Sequence, residues 1–222
     1  FNKLSEAGRN VFLLVANWKA NVPEVGLIVV LGVRGIDAIA GIEECRRLSL
    51  VYPMELPGNQ MFHSVPTLAR GFAGKKLQGD PDRLVIQQDL ATLRKFRVIS
   101  PIPAGDDSES RLIAQFAKAC FDEIGKGNES VGRADKLLEG LANSWSPGWR
   151  KLAEFRRRSG ADREAIGYAL RRAVEEEPFS KDAWLERAQF ALESGDDGVR
   201  IASLVSAVDA DPRDVELVNE VA

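Results

Sequence analysis

The C-terminal third of the chain repeats itself at an interval of 34 to 35 residues, and this period constrains the fold most strongly. The first copy contains Trp149, Ala153, Gly160, Ala173 and Pro178, and the second contains Trp184, Ala188, Gly195, Ala207 and Pro212. Such a period is typical of a helical hairpin used at least twice. Because a single hairpin cannot bury its apolar face alone, the copies must stack. The period therefore predicts a solenoid surface for interactions rather than a catalytic pocket.

The residues within the first copy fit two packed helices. Leu152 and Ala153 follow Trp149 in the first helix, and the small alanine lets the second helix approach. Gly160 permits the turn between the helices, and Pro178 ends the second one. This pattern resembles the tetratricopeptide repeat. The alternative is an ordinary helical bundle in which the period arises by chance.

The second copy matches the tetratricopeptide pattern less well, because Arg187 stands where the pattern has Leu and Ala191 where it prefers an aromatic residue. The resemblance implies that the first helix of each hairpin lines a concave face with mixed charge, which suits a protein or peptide ligand. The inward positions that it implies are Arg150, Glu154, Arg157 and Arg158 in the first copy, and Asp182, Leu185, Gln189 and Glu193 in the second. The alternative is that this face packs against another part of a longer protein, or that the run from 156 to 158 is only a solvated surface.

Composition limits the classes of function. The chain has 222 residues, 45% of them hydrophobic, which suits one large or two small domains with real cores. A net charge of −3 gives no overall attraction to nucleic acid. Cys45 and Cys120 lack the spacing of a metal knuckle or a redox pair, so we expect no metal site and a reduced, cytoplasmic protein. No apolar run is long enough to cross a membrane.

The N-terminal residues predict three helices followed by two short strands. Ser5 caps the first helix, Pro23 opens the second, and residues 37–48 form the third. Residues 50–52 and 60–62 then flank a turn with Pro57, Gly58 and Asn59, and residues 67–77 return to helical spacing. This order is that of a winged helix. The expected fold is mainly α, a winged-helix domain with a short β-wing followed by a tetratricopeptide-like α-solenoid.

Three domains follow from this organisation. Residues 1–100 form the winged-helix regulatory domain, residues 101–146 form a linker and divergent capping helices, and residues 147–222 form the repeats. The linker is indicated by Pro101, Pro103 and Gly105, which no helix crosses. Because the chain begins with Phe1 rather than Met, we interpret it as part of a longer polypeptide.

The segments around the wing resemble the regulatory winged helix of STAND nucleotide switches, the NB-ARC and NACHT ATPases. The resemblance covers about residues 1–100. It depends on four segments that match only loosely, on their order along the chain, and on the repeats that follow them. These segments are Leu4-Ser5-Glu6-Ala7, Leu48-Ser49-Leu50-Val51, Met61-Phe62-His63, and Val65-Pro66-Thr67-Leu68-Ala69-Arg70-Gly71-Phe72-Ala73.

In many of these switches a His in a Met-His-Asp motif contacts the β-phosphate of bound ADP. A gapless match of Arg70 and the residues after it puts Val65, Pro66 and Thr67 at the motif positions, so this chain departs from it. The lone histidine, His63, lies three residues before Pro66. The resemblance implies His63, Pro66, Thr67 and Arg70 as nucleotide-sensing candidates. The alternative is that His63 is a structural or surface residue.

We find no catalytic motif, so we expect no enzyme activity from this segment. The pair Gly74-Lys75 is followed by Lys76 rather than Ser or Thr and cannot be a Walker A loop. The glycines of residues 125–128 indicate a connector between helices. A longer parent would, by the resemblance, bind ATP or ADP with magnesium and be an ATPase.

The resemblance implies a regulatory and sensor segment of a STAND ATPase, acting in signalling or in defence against phage. The winged helix would contact a nucleotide-binding domain in cis, the repeats would bind a protein or peptide trigger, and activation would form homo-oligomers. One alternative is a DNA-binding winged-helix regulator with a tetratricopeptide interaction module. The third helix counts against it, since Arg46 and Arg47 are offset by Asp37, Glu43 and Glu44. Another alternative is a stand-alone tetratricopeptide adaptor.

Overall fold

The structure is a computed structural model that describes residues 1–18, 21–56, 60–95 and 108–214. The predicted linker at residues 99–107 and the predicted turn at residues 57–59 lie outside these ranges. The contacts between residues divide the chain into two compact units, Phe1–Leu141 and Ala142–Ala222.

The described residues are mainly helical, with one small sheet. The first unit contains α1 (Glu6–Asn17), β1 (Val22–Pro23), α2 (Glu24–Gly32), α3 (Ala38–Arg47), β2 (Tyr52–Leu56), β3 (Gln60–Ser64), α4 (Thr67–Gln78), α5 (Arg83–Lys95), α6 (Ser108–Phe121) and most of α7 (Asn128–Ser144). The second contains α8 (Gly148–Ser159), α9 (Arg163–Glu176), α10 (Lys181–Ser194) and α11 (Asp197–Ala210). The prediction of a mainly α protein is confirmed.

The first three helices begin at the residues that the sequence predicts. The Ser5 hydroxyl accepts a hydrogen bond from the Gly8 amide, and the Asp37 carboxylate accepts one from the Ala40 amide. Each side chain satisfies an amide that has no partner within its helix. Pro23 precedes α2, where a missing amide hydrogen costs nothing.

The sheet has three antiparallel strands in the order β1-β3-β2. Val22 pairs with His63, and Met54 pairs with Phe62. The predicted bounds of the strand after α3 were wrong: β2 begins at Tyr52 rather than at residue 50. The reason is that the Leu50 amide donates to the Cys45 carbonyl at 2.9 Å, so these residues close the end of α3 instead.

The core of the first unit is built around α1. Residues 11–16 of this helix are all buried, and Leu13 and Leu14 have no exposed surface. The helix packs against α3, α4 and α5, which surround it. Neighbours on several sides therefore bury the whole middle of α1.

The second unit consists of two successive helical hairpins, as the period predicts. The hairpin α8–α9 turns at Gly160 and the hairpin α10–α11 turns at Gly195, with φ angles of 74° and 72°. These left-handed conformations cost little only for glycine. The buried residues at the helix crossings include Trp149, Leu152, Ala153, Ala169, Leu170 and Ala173 in the first hairpin, and Ala188, Leu204 and Ala207 in the second.

We expect the Gly41→Ala substitution to lower the free energy of unfolding by about 1–3 kcal/mol, because overpacking strains a close contact. A Cβ at this position would lie 2.7 Å from the Ala7 carbonyl carbon and oxygen, so α3 would have to move away from α1. Urea denaturation checks this result. The control is Gly71→Ala in α4, where a Cβ meets nothing within 4 Å. It should leave stability unchanged or raise it by up to about 1 kcal/mol, and equal effects of the two substitutions would contradict the packing argument.

Candidate functional site

The surface shared by α8 and α10 brings most of the predicted inward residues together. Arg150 of α8 donates from Nη2 to Glu186 Oε1 of α10 at 2.6 Å, and its Nε donates to the same oxygen at 3.0 Å. Asp182 lies 3.5 Å from the same guanidinium. Near the other end of α8, Arg157 lies 4.0 Å from Glu193. The two hairpins are thus joined by a row of arginines facing a row of acids.

The remaining predicted residues lie on the same surface but pair differently. Arg158 donates to Glu154 at 2.6 Å within α8, so this pair does not cross to α10. Gln189 Nε2 donates to the Glu193 carboxylate at 3.1 Å within α10. Leu185 lines a cavity together with Gln189. The surface therefore combines exposed ion pairs with aliphatic side chains.

Glu186 is a residue of this surface that the sequence pattern did not single out, as are Leu192 and Arg200. Glu186 lies 2.6 Å from Arg150, whereas the predicted Asp182 lies 3.5 Å from the same guanidinium. Residues four apart on a helix share a face, so the choice of Asp182 as an inward residue also implied Glu186. That spacing was the available signal.

Charge pairing raises the pKa of Arg150 on this surface. Burial acts to lower the pKa of the Arg150 guanidinium, but the hydrogen bond to Glu186 and the negative charges of Glu186 and Asp182 raise the pKa above its ordinary value. The second hairpin carries a similar arrangement. Hydrogen bonds to Asp211 and Asp214 raise the pKa of Lys181, which ties the start of α10 to the end of α11.

Two open cavities lie on this face of the second unit. The first, about 330 Å³, is lined by Trp145, Pro147, Arg150, Lys151, Ala153, Glu154, Arg157, Leu170 and Glu186. The second, about 390 Å³, is lined by Arg157, Leu185, Glu186, Ala188, Gln189, Leu192, Arg200 and Leu204. Each has an aliphatic floor and a charged rim. In such a cavity, the floor can hold an apolar side chain of a ligand, while the charged rim pairs with polar groups of the same ligand.

The four nucleotide-sensing candidates do not converge on one point. His63 is fully buried, and its Nε2 lies 2.7 Å from Glu24 Oε2. Arg70 donates from Nη1 to the Trp18 carbonyl at 2.7 Å. Pro66 and Thr67 lie at the exposed start of α4. His63 and Arg70 are therefore engaged by protein groups, whereas Pro66 and Thr67 are exposed, and the nucleotide-sensing role of all four stays a prediction.

The contact between His63 and Glu24 links β3 to α2. The hydrogen bond from the histidine lowers the pKa of the Glu24 carboxyl, against the effect of burial, which would raise it. The Nδ1 of His63 is buried and has no hydrogen-bond partner among the described residues. This histidine acts as a packing and pairing residue between the two elements.

The glycine-rich segment after α6 is a connector, as predicted. Gly125 and Gly127 have φ angles of 89° and 107°, and α7 begins directly after them. Lys126 pairs at 3.0 Å with the buried carboxylate of Glu123, so its ammonium is engaged. Within the described ranges there is no cluster of His, Cys, Asp and Glu that could hold a metal ion. Nor does any helix in those ranges have the length and apolarity needed to cross a membrane.

We compared the chain with protein-family models, with curated protein sequences and with solved structures, and none of the three comparisons gave a match.

We expect the Glu24→Gln variant to be less stable than the wild type at pH 7 by about 0.5–1 kcal/mol, since it loses the hydrogen bond between a partly exposed carboxylate and the His63 ring. Because the folded-state pKa of Glu24 lies below its ordinary value of 4.5, its contribution is present above that value. The contribution is lost as the pH falls through the folded-state pKa, so the two unfolding curves should converge there. Urea denaturation across this pH range gives the comparison. Glu43→Gln, on an exposed part of α3, is the control at pH 7, and a constant difference at all pH values would contradict the pairing.

A double-mutant cycle on Arg150→Gln and Glu186→Gln should give a coupling energy of about 0.5–1 kcal/mol that decreases with added salt. The side chains are 29% and 37% exposed, which leaves the pair partly screened. Chemical denaturation of the four proteins supplies the cycle. The reference is the cycle on Arg172 and Glu175, an ion pair within α9, which should show a smaller coupling. No coupling at low salt would mean that the contact does not join the hairpins.

Proposed function

We propose that this chain is the regulatory and sensor segment of a nucleotide-dependent signalling switch of the STAND class, with repeats that bind a protein or peptide trigger. The observation that carries the proposal is the stacked pair of hairpins. Their joint surface presents two charged cavities of about 330 and 390 Å³. A surface built from partly exposed ion pairs and short aliphatic floors suits recognition of a peptide by scattered polar contacts around few apolar anchors.

The order of elements in the first unit supports the regulatory part of the proposal. The three helices α1, α2 and α3, the hairpin β2–β3 added to the short β1, and the sheet order β1-β3-β2 are compatible with a winged helix. The helix α4 after the wing exposes Leu68, at 91%, and Phe72, at 46%. Exposed apolar side chains on one helix favour a packing role against another domain. We assign that role to a nucleotide-binding domain in cis.

Under this proposal the segment itself performs no catalysis, and ATP or ADP with magnesium would be held by the rest of a longer parent protein. The protein would act in the cytoplasm, with homo-oligomers formed on activation, in signalling that includes defence against phage. A trigger shifts the equilibrium between the inactive and active states of such a switch only by the difference in its binding free energy for the two states. That difference must amount to a few kcal/mol. The tetratricopeptide-like surface is where that difference would arise.

The first test selects peptides on the complete chain from a display library of short peptides. We expect the selected peptides to lose about tenfold in affinity on the Arg157→Gln chain, because a charge-assisted hydrogen bond is removed. Fluorescence anisotropy with the synthetic peptides measures this loss. The control is Arg171→Gln, which changes an exposed arginine of α9 that lines neither cavity. Peptides that bind both variants as tightly as the wild type would contradict a trigger site on this surface.

The second test addresses the nucleotide switch in the complete gene product. Addition of a selected peptide should change the rate of ADP release or the size of the oligomer, and deletion of residues 105–222 should abolish that response. The rate is followed with a fluorescent nucleotide and the size by light scattering. A response that persists after the deletion would rule out the repeats as the sensor.

A further inference from the structure

The two cavities of the second unit are related by the repeat. Residues of the first cavity return one repeat later as residues of the second, with a shift of 35 residues on the first helix of each hairpin and 34 on the second. The pairs are Arg150 and Leu185, Ala153 and Ala188, Glu154 and Gln189, Arg157 and Leu192, and Leu170 and Leu204. The same surface is therefore present twice, once on each hairpin.

In the first hairpin this surface is covered by a helix, α10. Glu186 of α10 lines the first cavity and pairs with Arg150 at 2.6 Å. The described residues include no helix beyond α11 that could take the same place on the second hairpin. Leu192 is accordingly 53% exposed at the rim of the second cavity, above a floor that contains Leu204.

The second cavity also differs from the first in the position of its arginine. Arg200 of α11 lines it, at a position where the first hairpin has Ile166. The Nε of Arg200 is buried and has no hydrogen-bond partner among the described residues. Asp197 lies 3.6 Å from this nitrogen, beyond hydrogen-bonding distance, and is itself 80% exposed. A buried donor without an acceptor is costly, so a carboxylate that reached it would gain an interaction the free chain lacks.

Arg157 adds a second cation at the opposite rim. It stacks on the Phe190 ring at 5.7 Å and lies 4.0 Å from Glu193, so it is held in place without a short ion pair among its described contacts. The one acid that lines the cavity, Glu186, is already paired with Arg150. The rim of the second cavity thus holds two arginines whose nearest acids among the described contacts, Glu193 and Asp197, lie at 4.0 and 3.6 Å, beyond hydrogen-bonding distance. A ligand carboxylate can therefore compete for these arginines, and the floor is aliphatic.

We propose that the second cavity binds an acidic, helical peptide of a protein partner, which places an aliphatic side chain against Leu192 and Leu204 and a carboxylate on Arg200. The peptide would bind the second hairpin as α10 binds the first, with its carboxylate in the place of Glu186. This assignment rests on the proposed trigger-binding function and narrows it to one cavity and one class of ligand. A free nucleotide or inorganic anion would leave the aliphatic floor uncovered.

The experiment uses the complete chain and the synthetic peptides selected on it. We expect the selected sequences to share Asp or Glu within one helical turn of Leu, Ile or Val. Arg200→Gln and Leu192→Asn should each weaken binding about tenfold, and Arg200→Lys should restore part of it because the charge remains. Arg171→Gln is the control and should bind as the wild type does. Thermal unfolding verifies that each variant is folded.

A change on the peptide side keeps the test valid if an Arg200 variant fails to fold. Replacing the shared Asp or Glu of the peptide by Asn or Gln should weaken binding to the wild type by the same factor, and should cost nothing further on the Arg200→Gln chain. If the two substitutions weaken binding independently, the peptide carboxylate does not contact Arg200, and the inference is overturned.

The remaining outcomes separate this inference from the proposed function. Binding that is weakened by Arg157→Gln but not by Arg200→Gln or Leu192→Asn would overturn the inference and leave a trigger site elsewhere on the surface. Peptides that no cavity variant weakens would contradict the proposed function itself. Tighter peptide binding after removal of residues 215–222, or a dimer that peptide dissociates, would show that this chain or its copy is the occupant and would also overturn the inference.

Discussion

Close approach between helices is the constraint on which both units depend. In the first unit, α3 meets α1 at Gly41, where even a methyl group would lie 2.7 Å from the backbone of Ala7. In the second, Ala169 and Ala173 of α9 are fully buried, and α9 packs against both α8 and α10. Helices separated by such small residues bring larger neighbours such as Trp149 into contact. The cores therefore form around positions that carry almost no side chain.

The distribution of charge follows from this packing. Because the apolar residues of α8 and α10 are used for the hairpin cores, the partly exposed positions between the hairpins are left to long charged side chains. Arg150 reaches Glu186 across the gap, and Arg157 lies 4.0 Å from Glu193. Exposed pairs of this kind contribute little to stability. Their larger effect is to orient the rim of each cavity.

The first unit shows how burial limits the use of a motif. His63 is placed by β3 between the sheet and α2, and its pairing with Glu24 leaves it inaccessible to a ligand in this arrangement. Arg70 is likewise engaged, with the Trp18 carbonyl. The exposed start of α4, with Leu68, is the more accessible part of the same region. Burial and pairing, rather than position in the sequence, thus decide which of these side chains is accessible.

The sequence by itself determined the helices and their turns, because these depend on local chemistry. Ser5 and Asp37 cap helices, and the glycines at 160 and 195 permit turns, through contacts within a few residues. The 34 to 35 residue period shows that the same hairpin occurs twice. The start of β2 was misplaced, since the hydrogen bond that closes α3 at Cys45 competes with the strand.

Only the tertiary structure decided which side chains meet. The pairing of β1 with β3 and the contact of Glu186 with Arg150 join residues that are distant in sequence. The burial of α1 on several sides and the Nε of Arg200 without a hydrogen bond among the described residues depend on how the helices pack. A periodic pattern fixes the face on which a residue lies, but not its partner. The partner depends on the distance and rotation between packed elements, to which small residues such as Gly41 contribute by removing steric bulk.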